Sequence, residues 1–123
     1  MSYAERHAIT VVTASDGSAT AYSPVVTGKV SRIVYVATDY AAGVDFTITA
    51  EATGETIWTE LNVNASATKA PRQATHSTAG VAALYAAGGT AVNDKIALAN
   101  DRVKIVIAAG GNAKTGTFHL IME

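Results

Sequence analysis

Hydrophobic and polar residues alternate with a period of two along most of the chain. The clearest run is Val44–Ala50, in which Val, Phe, Ile and Ala alternate with Asp and Thr. A second alternating run covers Ile57–Val63 and follows the turn sequence Thr53-Gly54-Glu55. Because a period of two is typical of a strand with one buried face, the pattern predicts a β-hairpin over residues 44–63.

The same alternation predicts which side chains of the hairpin face the core. In the first strand, Phe46 and Ile48 share the apolar face. In the second strand, Ile57 and Leu61 share one face, which places Trp58 on the opposite, polar face. Two interpretations of Trp58 follow: it packs beneath a long loop, or it is an exposed anchor for a partner, a common role of Trp at interfaces.

Further apolar runs predict the remaining strands. The run Val30–Val36 is apolar on both faces, as expected of a central strand with a layer on each side. About seven or eight short strands separated by turn residues are typical of an antiparallel β-sandwich or jelly roll. We therefore predict an all-β fold in one domain, residues 1–123. The other predicted strands lie at His7–Thr13, Lys95–Ala99, Arg102–Ile107 and Thr115–Met122.

Residues 64–94 lack this alternation and are rich in Ala, Thr, Ser and Gly. Within them, Val81–Ala87 is compatible with a short helix and equally with a strand. A segment this long without clear elements is commonly functional or disordered, and few large apolar residues are present to order it. We expect it to be a long loop or arm that is mobile in an isolated subunit and ordered by a partner. Its candidate contact residues are Arg72, Gln73, His76 and Tyr85.

Composition and charge narrow the class of partner. Only 15% of the residues are charged, which indicates that another molecule covers part of the surface, or that a small monomer has a surface rich in Thr and Ser. The net charge is −1 and no basic cluster is present, which argues against nucleic acid. Residues 1–63 carry three basic and seven acidic residues, and residues 64–123 carry six and three, so unlike halves could attract one another in self-assembly.

The sequence offers little catalytic or metal-binding chemistry. The absence of cysteine excludes disulfides and thiol catalysis. Three histidines lie far apart, although His7 and His119 fall in the first and last strands, which could pair. His76-Ser77 with Asp94 is the best triad available. We expect no enzymatic activity, no cofactor and no small-molecule substrate.

A glycine-rich stretch, Gly110–Thr115, follows an apolar strand and ends in Lys-Thr, as a phosphate-binding loop does. Such a loop has a glycine before the lysine and opens a helix. Here Ala113 precedes the lysine and a strand follows, so the stretch predicts a hairpin turn instead. Residues 1–7 lack the apolar core of a signal peptide, and no run is long enough to span a bilayer, so we expect synthesis in a cytoplasm and no membrane partner.

Several stretches resemble small proteins that tailed bacteriophages encode among their head genes. The resemblance covers about residues 28–122 and is similar in style to capsid decoration, or cement, proteins. It implies a β-sandwich or jelly roll, made in the host bacterial cytoplasm, that binds the major capsid protein on the outer head surface as a homo-oligomer, with a trimer favoured. The stretches are Thr47-Ile48-Thr49, Glu51-Ala52-Thr53-Gly54, Pro71–His76, Ala99–Val106 and Gly110–Phe118.

Two alternatives to this interpretation stay open. The first is another virion part, such as a head–tail connector or a tail subunit. The second is a carbohydrate-binding β-sandwich in which Trp58 and the tyrosines form a stacking platform.

Overall fold

The chain forms two antiparallel β-sheets that pack together, in a computed structural model that describes residues 4–123. Met1–Tyr3, the start of the segment tested for a signal peptide, lie outside the described residues. The predicted all-β sandwich is confirmed. The ten strands are β1 (Glu5–Val12), β2 (Ala19–Tyr22), β3 (Val26–Ala37), β4 (Val44–Ala50), β5 (Thr56–Val63), β6 (Ala67–Lys69), β7 (Arg72–Ala74), β8 (Asn93–Asp101), β9 (Val103–Ala108) and β10 (Thr115–Met122).

The larger sheet has six strands in the order β1-β10-β3-β8-β7, and the smaller sheet has four in the order β2-β9-β4-β5. The predicted hairpin is the β4–β5 pair. The long strand β3 pairs with β8 along its first half and with the short strand β6 along its second half. Within residues 4–123, no helix is long and apolar enough to cross a membrane.

A hydrophobic cluster fills the space between the two sheets. The ring of Phe46 meets Trp58 edge-on at a centroid distance of 4.8 Å and Phe118 edge-on at 5.2 Å. Tyr35 joins them at 5.1 Å from Phe46 and 5.0 Å from Phe118. Edge-to-face pairs at such distances add stability beyond the buried area alone. The predicted inward face of β4, which includes Phe46 and Ile48, is confirmed.

The predicted faces of β5 are wrong, because the strand contains β-bulges. Ile48 is paired with Trp58, yet the next residue of β4 is paired with Thr56, so Ile57 is an extra residue. Ile57 and Trp58 therefore both face the core, with 7% and 6% of their surface exposed, whereas Leu61 is 72% exposed. An inserted residue moves every later side chain to the opposite face, which strict alternation cannot anticipate.

Strand β3 lies inside the larger sheet as predicted, but its two faces are not both covered. Val30, Ile33 and Tyr35 face the core. Val34 and Val36 alternate with them and face outward, and Val36 is 37% exposed. The expected second layer over β3 is not supplied by residues 4–123 of the same chain.

Tyr40 closes one end of the core. Its hydroxyl donates to the carbonyl oxygen of Val11 at 2.8 Å, and its ring stacks on Tyr35 at 6.2 Å. The ring fits because Gly116 has no side chain: a Cβ there would lie 2.3 Å from Cε2 of Tyr40. Burial, with smaller effects of Tyr35 and Asp39, raises the pKa of Tyr40 well above its ordinary value near 10.

We expect this raised pKa to make the protein less stable at high pH. Because the folded pKa exceeds the unfolded one, the stabilisation of the neutral phenol is complete below about pH 10 and is lost as the pH rises through the folded pKa. Urea unfolding from about pH 8 to about pH 11 should show a steeper loss of stability for the parent than for Tyr40→Phe. Identical pH dependence in the two proteins would contradict the assignment.

Candidate functional site

Residues 75–92 form an arm that leaves the edge of the larger sheet between β7 and β8. The two strands are paired from Arg72 and Lys95 to Ala74 and Asn93. The ladder continues one step into the arm, where the Thr75 N–H donates to the carbonyl oxygen of Val92 at 2.8 Å. The arm is therefore anchored at its base by regular backbone pairing.

Ala83 links the two halves of the arm. Its N–H donates to the carbonyl of Thr75 at 2.9 Å, and its own carbonyl accepts the N–H of Val92 at 2.9 Å. On either side of Ala83 lies a short loop, closed by an isolated bridge. The predicted alternatives of helix or strand for Val81–Ala87 are thus resolved as bridges and turns without a helix. The bridges pair His76 with Ala82 and Leu84 with Ala91.

The arm has neither a core nor a charge. None of residues 75–92 is buried. The same residues contain no Asp, Glu, Lys or Arg. Val81, Leu84 and Tyr85 are nevertheless exposed, at 65%, 43% and 76%. Exposed apolar groups close together, without charges to solvate them, are typical of a surface that contacts another molecule.

Most of the predicted contact residues lie in the arm or at its base. Gln73, His76 and Tyr85 are exposed. Arg72 is exposed as well, and its Nη1 donates to the carbonyl oxygens of Ser31 at 3.0 Å and Pro71 at 2.8 Å. Trp58 is a correction: it lies in the core, and its Nε1 donates to Glu60 at 3.2 Å.

No protein-family model matches the chain, and no curated protein matches it either. Function has to be inferred from the described residues themselves. They offer an interaction surface, the arm, in which Val81 and Leu84 were missed as contact residues. The charge-free stretch from Ala74 to Asn93, which is visible in the sequence, would have pointed to both.

The histidines do not form a metal site. Strands β1 and β10 pair as expected, but His7 is opposite Leu120 and faces inward, whereas His119 is opposite Ala8 and faces outward. The His119 Nδ1 lies 3.5 Å from Arg6, a cation that disfavours a metal ion. Residues 4–123 contain no group of three His, Cys, Asp or Glu side chains that could hold a metal.

The best triad available from the sequence is not assembled. The Ser77 hydroxyl accepts the N–H groups of Ala79 at 3.3 Å and Val81 at 3.4 Å, as in a turn. Asp94 is engaged elsewhere: it accepts the N–H of Lys95 at 2.7 Å and lies 3.7 Å from the Lys29 ammonium. The backbone N–H of Lys95 and the charge of Lys29 lower the pKa of Asp94. Its role is therefore electrostatic pairing at the base of the arm.

The glycine-rich loop after β9 does not bind phosphate through its backbone. The predicted hairpin is also wrong, because the loop joins β9 of the smaller sheet to β10 of the larger sheet. The N–H of Gly110 donates to Gly17 at 2.9 Å, and the N–H of Lys114 donates to the Thr13 hydroxyl at 2.9 Å. The N–H of Thr115 donates to the Asp39 carboxylate. Amides that a phosphate would need are thus already used.

Proposed function

We propose that the protein is a bacteriophage virion structural protein, and specifically a capsid decoration protein that stabilises the head by binding across subunits of the major capsid protein. The observation that carries the proposal is the arm of residues 75–92, which is exposed, uncharged and apolar at Val81, Leu84 and Tyr85. The hydrophobic cluster of the sandwich includes no residue of the arm. Contact with another protein is therefore a better explanation of the arm than stability of the fold.

The resemblance to decoration proteins gives this contact its setting. One arm presents few apolar side chains, so a single contact is weak. A homo-oligomer that engages several capsid subunits at once gains affinity through the high effective concentration of its linked sites. The backbone ladder at Thr75 and Val92 partly preorganises the arm, which lowers the entropic cost of each contact.

A second virion role, as a head–tail connector or tail subunit, uses the same kind of surface. The number of copies per particle separates the two roles. Quantitative mass spectrometry of purified particles should find on the order of hundreds of copies for a decoration protein, and about six or twelve for a symmetric connector. The carbohydrate-binding alternative loses its platform, because Trp58 is only 6% exposed.

Replacing residues 76–91 with Asn-Gly should abolish head binding while the sandwich stays folded. Thr75 and Val92 are hydrogen-bonded neighbours, so a two-residue turn can connect them. Because none of the removed residues is buried, the free energy of unfolding should change by less than about 1 kcal/mol. Co-sedimentation with heads that lack the protein measures binding, and urea unfolding measures stability.

Two further variants make the test specific to the apolar side chains. Tyr85→Ser, at a residue 76% exposed, should weaken head binding, whereas Leu61→Ser, at a residue 72% exposed on the sandwich, should not. If the arm-replaced protein bound heads as tightly as the parent, the arm would be an ordinary loop and the proposal would be wrong.

A further inference from the structure

The outer face of the larger sheet is unusually apolar for an exposed surface. An antiparallel sheet that faces solvent commonly presents polar side chains there. Here Val12 on β1 is 59% exposed and Val36 on β3 is 37% exposed. Val34 and Ile121 point the same way, because each alternates with buried residues of its strand. The outer face is defined by these four residues: Val12, Val34, Val36 and Ile121.

One margin of the outer face is basic. Arg6 and Arg32 are paired with Ile121 from opposite sides, so the two arginines lie in one row about 10 Å apart. Arg72 reaches the neighbouring residue Ser31. The ion pairs found within residues 4–123 include none of these three arginines. Two copies that met outer face to outer face would bring these rows of like charge together, which disfavours that arrangement.

We propose that the arm of one copy docks on the outer face of the larger sheet of a second copy. The arm is uncharged, so the arginines do not repel it, and its apolar residues match the apolar face. Its exposed Tyr85 ring is a suitable partner for a guanidinium at the basic margin. The inference deepens the proposed function, on which it rests, by naming the contact that builds the homo-oligomer.

The pattern of β3 supports this occupant. Val30–Val36 has the apolar residues of a strand covered on both faces, yet its own chain covers one. The arm of a second copy supplies the second layer. Because arm and face are different surfaces of one chain, the contact is head-to-tail, and a head-to-tail contact closes into a ring when its rotation permits. A trimer is one such ring.

Complementation between two variants tests the contact directly. The arm-replaced protein keeps the outer face, and Val36→Lys keeps the arm while placing a charge on the face. By sedimentation velocity, the parent should be an oligomer and each variant alone a monomer. An equimolar mixture should form a one-to-one pair, because one arm and one face remain to meet. Circular dichroism and thermal melting confirm that both variants are folded.

The matched control is Val106→Lys. Val106 is 36% exposed on the outer face of the smaller sheet, against 37% for Val36, so the two substitutions are similar in kind and exposure. Val106→Lys should assemble like the parent, whereas Val36→Lys should associate at least about tenfold more weakly, a loss typical of an interface residue.

Each other outcome has a definite meaning. A parent that is monomeric at all concentrations, a Val36→Lys protein that assembles like the parent, or a mixture that stays monomeric would overturn the inference. If Val36→Lys stayed oligomeric but lost head binding, the face would contact a capsid surface, and the inference would also be wrong. A parent that assembles through arm and face but does not bind heads would overturn the proposed function alone.

Discussion

Phe46→Ala should lower the free energy of unfolding by about 3–5 kcal/mol, the range typical of removing a buried aromatic ring. Phe46 is 1% exposed and contacts three other aromatic rings, of which Trp58 and Phe118 meet it edge-on. Its removal would leave a cavity between the two sheets and break both edge-on pairs. The neighbouring strands are rigidly paired, so they can close the cavity only in part.

Urea unfolding followed by Trp fluorescence measures this loss. Thr47→Ala is the control on the same strand, because the Thr47 side chain faces away from the core and bonds only the Thr59 hydroxyl, at 3.3 Å. It should cost less than about 1 kcal/mol. A loss below about 1 kcal/mol for Phe46→Ala would show that the faces of β4 are reversed.

Trp58→Ala should cost about as much as Phe46→Ala, roughly 3–5 kcal/mol. The result distinguishes the bulged strand from a regular one. With strict alternation Trp58 would be exposed, and its removal would change stability little. In the bulged strand Trp58 is buried against Phe46 at 4.8 Å, and its indole N–H donates to Glu60.

Leu61→Ala is the matched control for Trp58→Ala. Leu61 lies on the same strand and is 72% exposed, so its truncation should cost less than about 1 kcal/mol. Urea unfolding of both variants measures the difference. Equal losses, or a larger loss for Leu61→Ala, would contradict the bulge at Ile57. Because Trp58 itself reports fluorescence, far-ultraviolet circular dichroism should follow these transitions.

The proposed assembly places the two properties of the chain on different residues. Stability lies in the aromatic cluster between the sheets, and association lies in the arm and the outer face. Substitutions of Phe46 or Trp58 should therefore reduce assembly only by unfolding the chain. Substitutions of Tyr85 or Val36 should reduce assembly in a chain that remains folded.

Alternation along the chain was enough to predict the fold class, the β4–β5 hairpin and the inward face of β4. These features are local: a period of two in a strand such as Val44–Ala50 follows directly from the geometry of extended backbone. The arm was also visible as a segment without large apolar periodicity, and Tyr85 was correctly placed in it as an exposed residue.

Only the tertiary structure decided the features that depend on pairing between distant residues. The bulge at Ile57 follows from the register of β5 against β4, and it turned Trp58 from a surface candidate into a core residue. The turn after β9 looked like a hairpin because a tight reversal needs the same residues whether the chain returns to its own sheet or crosses to the other. The opposite directions of His7 and His119 likewise follow from the β1–β10 register, which no single strand encodes.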